Sequence, residues 1–285
     1  MRVLVTGATG FIGCHVVECL SSYEKYEIIT TGARSKEEAE ALFPVLRKTN
    51  YIAKNLNQKE DNYYTFFGKP DCAIHLSWEG LPNYNEIFQI ELNLPSNFNF
   101  IKNMIQNGLP DITVAGTCFE YGLQNGCLCE DMDTKPVTYY GLAKDCLRKF
   151  VAFLQSKYHF SFKWLRLFYP FGSGQGVKSL FGQMTDVISN NGNYFNMSMG
   201  EQIRDYLSVE TMSEYIVAIA LQTEIDGIIN CCSGKPVSVR SFVEVFFEQH
   251  NYPVKLNLGY YPYPDYEPLA FWGDTGKLKK IIGNM

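Results

Sequence analysis

Two patterns of apolar residues alternate along the chain: short continuous runs typical of buried strands, and helical spacings. The first example of each lies at the start of the sequence. Arg2–Thr6 is a short apolar run rich in β-branched residues, which predicts a buried strand. Apolar residues then recur at helical spacing over 12–20. Gly7, Gly10 and Gly13 lie in and just after the connection between the two. The pattern predicts a strand, a glycine turn and a helix.

Strands and helices continue to alternate as far as about residue 170. Apolar runs predict further strands at Tyr26–Thr31, Tyr51–Leu56, Asp71–Ser77, Ile112–Gly116 and Ser161–Phe168. Helices are predicted near Ile87–Asn107, bent around Pro95, and at 139–157. This order predicts an α/β fold with a Rossmann-type, doubly wound parallel sheet. We place one domain at 1–170 and a smaller α/β domain at 171–285, and leave open a return of the chain to the first sheet near 203–232.

The glycine turn has the properties that a dinucleotide pyrophosphate requires. Gly7 lets the chain turn sharply, Gly10 lets backbone N–H groups approach the pyrophosphate, and Gly13 lets the helix pack closely on the strand. The positive end of the helix dipole faces the phosphates. A plain strand–turn–helix corner is the alternative, since glycine turns are common. We predict a dinucleotide cofactor at this edge of the sheet.

Composition and charge argue against several classes of partner. The 285 residues are 46% hydrophobic and 19% charged, as in a globular protein with a sizeable core. The net charge is −5 without a basic block, so we expect no nucleic-acid partner. Apolar runs such as Tyr215–Leu221 are too short to span a bilayer and no leader precedes the first strand, so we expect a cytoplasmic protein without a membrane partner. The nine cysteines form no C-x-x-C pair, and we expect no metal site.

The spacing Gly-x-x-Gly-x-x-Gly resembles that of the extended short-chain dehydrogenase/reductase superfamily, the NAD-dependent epimerase/dehydratase family. Asp71–Ser77 resembles the D-x-x-x-H-L-A strand of that family, whose end lies under the cofactor, and Arg166–Gly172 resembles its R-x-x-N-x-Y-G-P segment without the Asn. His75 is predicted to be structural. The resemblance implies cofactor contacts by Gly7, Thr9, Gly10, Phe11, Ile12, Gly13, Asn55, Leu56, Leu76, Ser77, Trp78 and Tyr169.

The end of the second predicted strand bears on the choice of cofactor. An Asp or Glu there would accept hydrogen bonds from the ribose hydroxyls and select NAD. The chain has Arg34, Ser35 and Lys36 instead, which can neutralise and hydrogen-bond a 2′-phosphate, and its first carboxylate is Glu37. A solvated helix start is the alternative. From Arg34 and Ser35 we predict NADP(H), with NAD(H) less favoured.

Three residues carry the predicted chemistry. Tyr140 and Lys144 are four residues apart on one helical face. The extended reductases carry this Tyr-x-x-x-Lys with an upstream Ser or Thr four residues before a Tyr-Gly, and Thr117 has that spacing from Tyr121. The resemblance implies that Tyr140 is the acid/base, that Lys144 lowers its pKa and holds the nicotinamide ribose, and that Thr117 binds the carbonyl oxygen. Tyr140 and Lys144 thus also contact the cofactor.

The second domain resembles nucleotide-sugar enzymes. Residues 200–209 match their G-x-x-x-R-D-[FY]-x-x-V segment, in which the Arg grips the diphosphate. The resemblance implies that Arg204 and Tyr206 bind a nucleotide-diphosphate sugar, and a structural Arg–Asp pair is the alternative. The other predicted substrate contacts are Trp78, Cys118, Phe119 and Glu120. Segments 78–82, 116–122 and 261–274 look most like bacterial reductases of 4-keto-6-deoxyhexose nucleotides, which make O-antigen and other surface sugars.

Reduction, epimerisation and 4,6-dehydration share this apparatus. The dehydratases of the family follow the Thr with Asp-Glu, where this chain has Cys118 and Phe119. A 4-epimerase retains NAD, whereas Arg34 fits an exchangeable NADPH better. A regulator without catalysis would have lost Tyr140 or Lys144. We therefore predict an NADPH-dependent 4-ketoreductase, with a nucleotide-sugar 4-epimerase that retains NAD as the alternative.

A homodimer is also expected. Extended reductases commonly pair the Tyr-x-x-x-Lys helix and the preceding long helix into a four-helix bundle. Cys146, Phe150, Phe153 and Leu154 supply more apolar surface on the first of these helices than one buried face needs.

Overall fold

Seven parallel strands form the central sheet of the computed structural model, which describes residues 1–283. The strands of the chain are β1 Arg2–Thr6, β2 Glu27–Gly32, β3 Asn50–Ala53, β4 Cys72–His75, β5 Asp111–Thr117, β6 Gly126–Leu128, β7 Ser161–Leu167, β8 Pro170–Phe171, β9 Tyr194–Asn196, β10 Ile203–Asp205, β11 Leu207–Ser208, β12 Gly227–Cys231, β13 Pro236–Ser238, β14 Lys255–Asn257 and β15 Phe271–Gly273. The sheet order is β12-β7-β5-β4-β1-β2-β3, which confirms the predicted α/β class.

Nine α-helices connect and cover the strands of residues 1–283. They are α1 Phe11–Leu20, α2 Lys36–Leu42, α3 Tyr63–Phe66, α4 Leu94–Gln106, α5 Tyr139–Leu154, α6 Leu180–Ser189, α7 Val209–Leu221, α8 Val239–Gln249 and α9 Gly276–Ile282. Short 3₁₀ turns lie at Pro44–Lys48 and Cys118–Tyr121. Within residues 1–283, no helix is both long and apolar enough to cross a bilayer.

The structure differs from the predicted helix near Ile87–Asn107 in the position of its irregularity. Pro95 stands in the first turn of α4, which continues directly from a helical turn, so its missing N–H leaves a gap in the hydrogen-bond ladder there. The irregularity comes before it, as a π-helical turn at Gln89–Asn93.

Alternate residues of the strands feed two cores on opposite faces of the sheet. Val3 and Val5 face a core that includes Val16 of α1 and Ile216 of α7. Leu4 points the other way, into a core with residues of α3, α4 and α5 such as Phe100. Both cores follow from the period-two alternation of side chains along a strand. The sheet is thus covered by helices on both faces, which leaves its carboxyl edge as the place for a site.

The central sheet takes its edge strand from the second half of the chain. Helix α7 packs on α1, and β12 then pairs in parallel with β7. The remaining residues form small sheets and a separate core around Phe195 and Phe247. Asp205 connects these parts, because its carboxylate accepts from the backbone N–H groups of Gly234 and Gly273 at 2.9 and 3.2 Å.

Candidate active site

The glycine turn leaves room and free donors at the start of α1. Gly7 has a φ of +69°, which a residue with a side chain rarely adopts. A Cβ at Gly13 would overlap the Gly7 carbonyl oxygen, so only glycine allows α1 to lie this close to the turn. Gly10 is the N-cap and has no side chain to occupy the first N–H groups of the helix. An anionic ligand such as a pyrophosphate fits there.

A pocket beside this turn completes the features expected of a dinucleotide site. It is lined by Gly7, Thr31, Gly32, Ala33, Lys54, Asn55, Leu56, Ser77 and Glu79. Gly7, Asn55, Leu56 and Ser77 were predicted from the sequence, and the other five were missed. Of these, Ala33, Lys54 and Glu79 adjoin predicted residues, so their positions along the strand ends could have indicated them. A Cβ on Gly32 would lie 2.8 Å from Thr9 Oγ1, which places Thr9 against the end of β2.

The other predicted cofactor residues lie around the same turn. Phe11 and Ile12 occupy the first turn of α1 and are half-buried. Leu76 follows β4, and its backbone N–H donates to the Thr6 carbonyl at 3.3 Å. Phe11 lies in edge contact with His15, whose Nε2 is 3.0 Å from the Ser173 carbonyl oxygen.

Arg34 and Ser35 do not form a phosphate site. Arg34 is exposed and lies outside the residues that line the pocket. The Ser35 hydroxyl accepts from the Glu38 N–H at 3.2 Å, while the Glu38 carboxylate accepts from the Ser35 N–H at 3.1 Å. This is a capping box at the start of α2. A 2′-phosphate near Ser35 would meet the carboxylate of Glu38, which would repel it.

His75 lies beneath the site and is held as a neutral group. Its Nδ1 is 2.8 Å from Thr6 Oγ1 and its Nε2 is 2.7 Å from Asn97 Oδ1. Burial lowers the pKa of His75 to about 3, and the charge of Lys144 lowers it further. The imidazole therefore ties β1, β4 and α4 together and stays uncharged at neutral pH.

Helix α5 brings Tyr140 and Lys144 against Thr117 at the carboxyl edge of the sheet. Thr138 caps the helix by accepting from the Gly141 N–H at 3.0 Å. A Cβ at Gly141 would lie 2.7 Å from the Phe119 carbonyl oxygen, so glycine lets the helix approach the turn that follows β5. The three predicted catalytic residues are brought together here.

Tyr140 is enclosed, with 7% of its surface exposed. Burial raises the pKa of Tyr140 above its usual value and nearby Tyr84 raises it too, whereas a hydrogen bond with the Thr117 side chain lowers it. The phenol therefore keeps its proton until a positive charge or a substrate oxygen reaches it.

Lys144 lies one helical turn further on and is 3% exposed. Its Nζ donates to the Ala115 carbonyl at 2.8 Å and stands 3.9 Å from the centroid of the Trp78 ring. Burial lowers the pKa of Lys144 to about 7, against the opposing charge of Glu120. The ammonium thus titrates in the range where the enzyme would work.

Glu120 was expected to contact substrate, but the fold directs its carboxylate into the interior. The carboxylate accepts from the Thr117 N–H at 2.9 Å and from Trp164 Nε1 at 2.8 Å. Arg166 Nε donates to its other oxygen at 3.0 Å. With no exposed surface, Glu120 supports Thr117 from behind rather than facing the cleft.

Aromatic rings from three segments close over Tyr140. Tyr84 lies 4.8 Å from Phe119 and 5.6 Å from Tyr140, between ring centroids. Tyr266, from the tail, lies 6.0 Å from Tyr84. Sequence patterns missed Tyr84, which belongs to no motif, whereas Tyr266 lies in segment 261–274, which carried part of the resemblance but was not assigned a role. Trp78 and Phe119, two of the predicted substrate contacts, take part in this cluster.

The adjoining Cys118 is buried beneath these rings. Burial raises the pKa of the Cys118 thiol, and the charge of Glu267 adds to the effect. The thiol therefore stays protonated and is a poor nucleophile or base.

Arg204 on β10 is buried and is paired with a residue the sequence did not indicate. Its Nη2 lies 2.7 Å from Glu267 Oε2, and its guanidinium stacks 4.9 Å from the Phe271 ring. Tyr206 stacks on Phe242 with centroids 4.0 Å apart. The predicted alternative, an Arg204–Asp205 pair, is not what forms, since the Asp205 carboxylate accepts from backbone N–H groups of other segments.

Tyr169 lies between Phe119 and Arg204. Its ring centroid is 6.4 Å from that of Phe119, and the Arg204 guanidinium stands 5.7 Å from it. Within the described residues, the buried Tyr169 hydroxyl has no hydrogen-bond partner. Over the same residues there is no group of three or more His, Cys, Asp or Glu side chains arranged to hold a metal ion. Burial raises the pKa of Tyr169 well above its usual value, and the nearby Glu267 carboxylate adds to the effect.

Over residues 3–232, the chain matches the family described as the NAD dependent epimerase/dehydratase family. The chain belongs to this family. It is similar to the dTDP-6-deoxy-L-talose 4-dehydrogenase (NAD(+)) of Aggregatibacter actinomycetemcomitans, at 29% identity over 96% of this chain and 99% of that protein. It is also similar to the GDP-6-deoxy-D-talose 4-dehydrogenase of the same organism, at 26% identity over 100% and 92%.

The fold is shared with solved structures of more distant proteins. The UDP-glucuronic acid 4-epimerase from Bacillus cereus, in complex with UDP-glucuronic acid and NAD, superposes with a TM-score of 0.86 at 20% identity. The match covers 100% of this chain and 94% of that one. The prediction of a nucleotide-sugar-modifying enzyme of this family is confirmed at that level of detail.

The prediction of NADP(H) is wrong. The family is NAD-dependent, the first relative carries NAD(+) in its name, and the solved neighbour contains NAD. The geometry gives a physical reason, because the Ser35 hydroxyl and backbone N–H are both used in the cap with Glu38, whose carboxylate adds a negative charge beside them. The residues at the glycine turn and in the adjoining pocket fit NAD.

Proposed function

We propose that this protein is an NAD(H)-dependent oxidoreductase that interconverts the 4-keto and 4-hydroxyl forms of a nucleotide-linked 6-deoxyhexose. The observation that carries the proposal is the convergence of Thr117, Tyr140 and Lys144 at the sheet edge beside the glycine turn. The two relatives named as 6-deoxytalose 4-dehydrogenases, each similar over nearly its whole length, support the choice of substrate.

Tyr140 supplies or removes the proton at the C4 oxygen. NAD held at the glycine turn would supply the hydride chemistry, and the protein residues handle the proton. Thr117, whose side chain lies near enough to the Tyr140 phenol to lower its pKa, would hold the same substrate oxygen. General acid–base catalysis of this kind contributes a factor on the order of 10² to 10⁴.

Lys144 makes the phenol of Tyr140 a usable base. A free phenol has a pKa of about 10, and lowering it by roughly three units needs about 4 kcal/mol of differential stabilisation. The charged ammonium of Lys144 lies one turn along α5 in a site nearly closed to water. It therefore stabilises the Tyr140 phenolate strongly, because little solvent screens the charge. The same ammonium is proposed to hold the nicotinamide ribose.

The residues after Thr117 disfavour dehydration. Removal of water from C5 and C6 needs an acid and a base beside the sugar, as the Asp-Glu of the family's dehydratases supplies. Positions 118 and 119 instead hold a buried thiol and a ring packed on Tyr84. We therefore infer redox chemistry at C4 without elimination.

Substrate contacts remain proposals. Arg204 is buried, is paired with Glu267 and lies 5.7 Å from the centroid of the Tyr169 ring, and Tyr206 packs on Phe242. We propose that Arg204 binds the diphosphate and that Trp78, Cys118 and Phe119 bound the sugar. The cytoplasmic location and a role in surface-sugar biosynthesis stay predictions.

We also propose a homodimer through α4 and α5. Phe150 and Phe153 on α5 expose 47% and 79% of their surface, and the Phe150 ring packs against that of Phe98 on α4. Leu142 adds exposed apolar area at the start of the same helix. Such a patch on two adjacent helices is the kind of surface that a second copy covers.

The direct test supplies purified protein with dTDP-, GDP- and CDP-linked 4-keto-6-deoxyhexoses and NADH, and follows NADH consumption and the product by NMR. Reduction at C4, abolished in Tyr140→Phe, is the expected result. Conversion of a nucleotide sugar into its C4 epimer without added cofactor would instead establish the retained-NAD epimerase. Failure of all these substrates would overturn the proposal.

A further inference from the structure

The indole of Trp78 lies against the ammonium of Lys144. The distance from Nζ to the ring centroid is 3.9 Å, well inside the range of a cation–π contact. An ammonium has three donors, and one of them goes to the Ala115 carbonyl at 2.8 Å. Because Lys144 is almost fully buried, the ring face takes the place of solvent on another side of the charge.

The Trp78 ring is held in this position by a buried amide. Its Nε1 donates to Gln89 Oε1 at 2.7 Å, and Gln89 is fully buried. Gln89 is itself fixed, since its Nε2 donates to the Asn83 carbonyl at 2.9 Å and its Oε1 accepts from Asn93 Nδ2 at 3.0 Å. Gln89 and Asn93 begin and end the π-helical turn that precedes α4. This irregular turn therefore serves to orient the indole.

The charged groups around Lys144 give it little other support. Glu120, from the turn after β5, is the anion that favours the ammonium, but Arg166 Nε lies 3.0 Å and Arg148 Nε 3.8 Å from its carboxylate. His75 of β4 is neutral. Tyr140 of α5 is protonated in the absence of ligand. The two guanidinium groups therefore oppose part of the field of Glu120 at Lys144.

We propose that Trp78 is a positioning residue for Lys144, whose indole face keeps the ammonium charged and directed at the Tyr140 side of the cleft, and that Gln89 fixes the ring for this purpose. The inference rests on the proposed function, because a charged Lys144 matters through the proton transfer of Tyr140 and the nicotinamide ribose. It makes Trp78 part of the electrostatics of the site in addition to a wall of the cleft.

The test measures NADH affinity by calorimetry from about pH 6 to about pH 9, without any sugar. In the wild type, affinity should fall as Lys144 loses its proton. In Trp78→Leu the midpoint of that fall should move to lower pH by about half to one and a half units, since a cation–π contact is lost. Trp78→Phe, which keeps a ring face, should move it less, and Gln89→Met should give an intermediate shift.

Trp272→Phe is the matched control, because Trp272 lies on β15, away from Lys144. It should keep the wild-type midpoint. Equal midpoints for wild type, Trp78→Leu and Gln89→Met would overturn the inference, as would an affinity independent of pH in the wild type.

The test still distinguishes the possible results if one variant fails to fold or if the proposed function is wrong. If Trp78→Leu does not fold, as judged by circular dichroism, Trp78→Phe and Gln89→Met still decide the question. Because no sugar is used, a shifted midpoint together with no turnover on any nucleotide sugar would overturn the proposed function and leave the role of Trp78 standing. An unshifted midpoint together with turnover on a nucleotide sugar would overturn only the role of Trp78.

Discussion

The Glu120 carboxylate lies 3.0 Å from Arg166 Nε in a fully buried ion pair directly behind Thr117. The same carboxylate accepts from the Thr117 N–H, so the position of Thr117, the proposed catalytic threonine, depends on a residue that faces away from the cleft. Glu120→Ala should lower the free energy of unfolding by roughly 3–5 kcal/mol, because it leaves Arg166 buried without a partner. Urea denaturation measures this, and a loss below about 1 kcal/mol would contradict it.

The catalytic assignment makes a graded prediction. Tyr140→Phe should reduce the turnover number by a factor on the order of 10² to 10⁴ with NADH affinity little changed. Thr117→Val should reduce it less, because it removes one hydrogen bond and no proton donor. Lys144→Met should also weaken NADH binding. Steady-state rates and calorimetry give both quantities.

Cys118→Ala is the control for this series, because the buried, protonated thiol has no assigned proton-transfer role. Near-normal turnover by Tyr140→Phe together with an inactive Cys118→Ala would exclude the tyrosine mechanism.

The capping box at Ser35 gives a prediction that separates helix stability from cofactor choice. Ser35→Ala should cost about 1 kcal/mol of stability through loss of the cap. NADH affinity should stay within about twofold, a difference of roughly 0.4 kcal/mol, because the hydroxyl is used internally. NADH should also bind more tightly than NADPH to the wild type. Thermal unfolding and calorimetry on both cofactors provide the comparison, and a large loss of affinity in Ser35→Ala would argue for a cofactor contact.

The buried Lys144 makes stability depend on pH in a defined direction. Its pKa is lowered from its usual value to about 7 in the fold, so above that pH the unfolded chain binds a proton that the folded chain has lost. The unfolding free energy of the cofactor-free protein should therefore rise from about pH 6 to about pH 9 by roughly 2–3 kcal/mol from this group. In Lys144→Met this contribution should vanish, which urea titrations at several pH values can show. A rise of the same size in the variant would assign it to other groups.

The apolar surface of α5 predicts the oligomeric state. The double variant Phe150→Glu with Phe153→Glu should sediment as a monomer at micromolar concentration, because four carboxylates would be buried in the proposed interface. Val177→Glu, on an exposed loop remote from that helix in sequence, is the matched control and should remain a dimer. A wild type that sediments as a monomer would refute the proposal.

Local sequence features determined the cofactor turn and the catalytic helix. Strand periodicity, the spacing of Gly7, Gly10 and Gly13, and the four-residue separation of Tyr140 and Lys144 act within one or two turns of chain, so their geometry follows from bond lengths and helix pitch. The capping box of Ser35 and Glu38 is also local, with the sequence pattern of such a cap. Assigning Ser35 to a phosphate instead led to the wrong cofactor.

Only the tertiary structure decided where the long-range partners lie. Glu120 turns inward because Trp164 and Arg166, more than 40 residues later on β7, donate hydrogen bonds to its carboxylate. These bonds replace the ones that water would make to an exposed carboxylate. Tyr84 and Tyr266 meet near Tyr140 because a loop after β4 and the chain's tail pack over the same edge of the sheet. Contacts between segments so far apart depend on packing that no local pattern encodes, since side-chain direction is set by the neighbours each residue finds after the chain has folded.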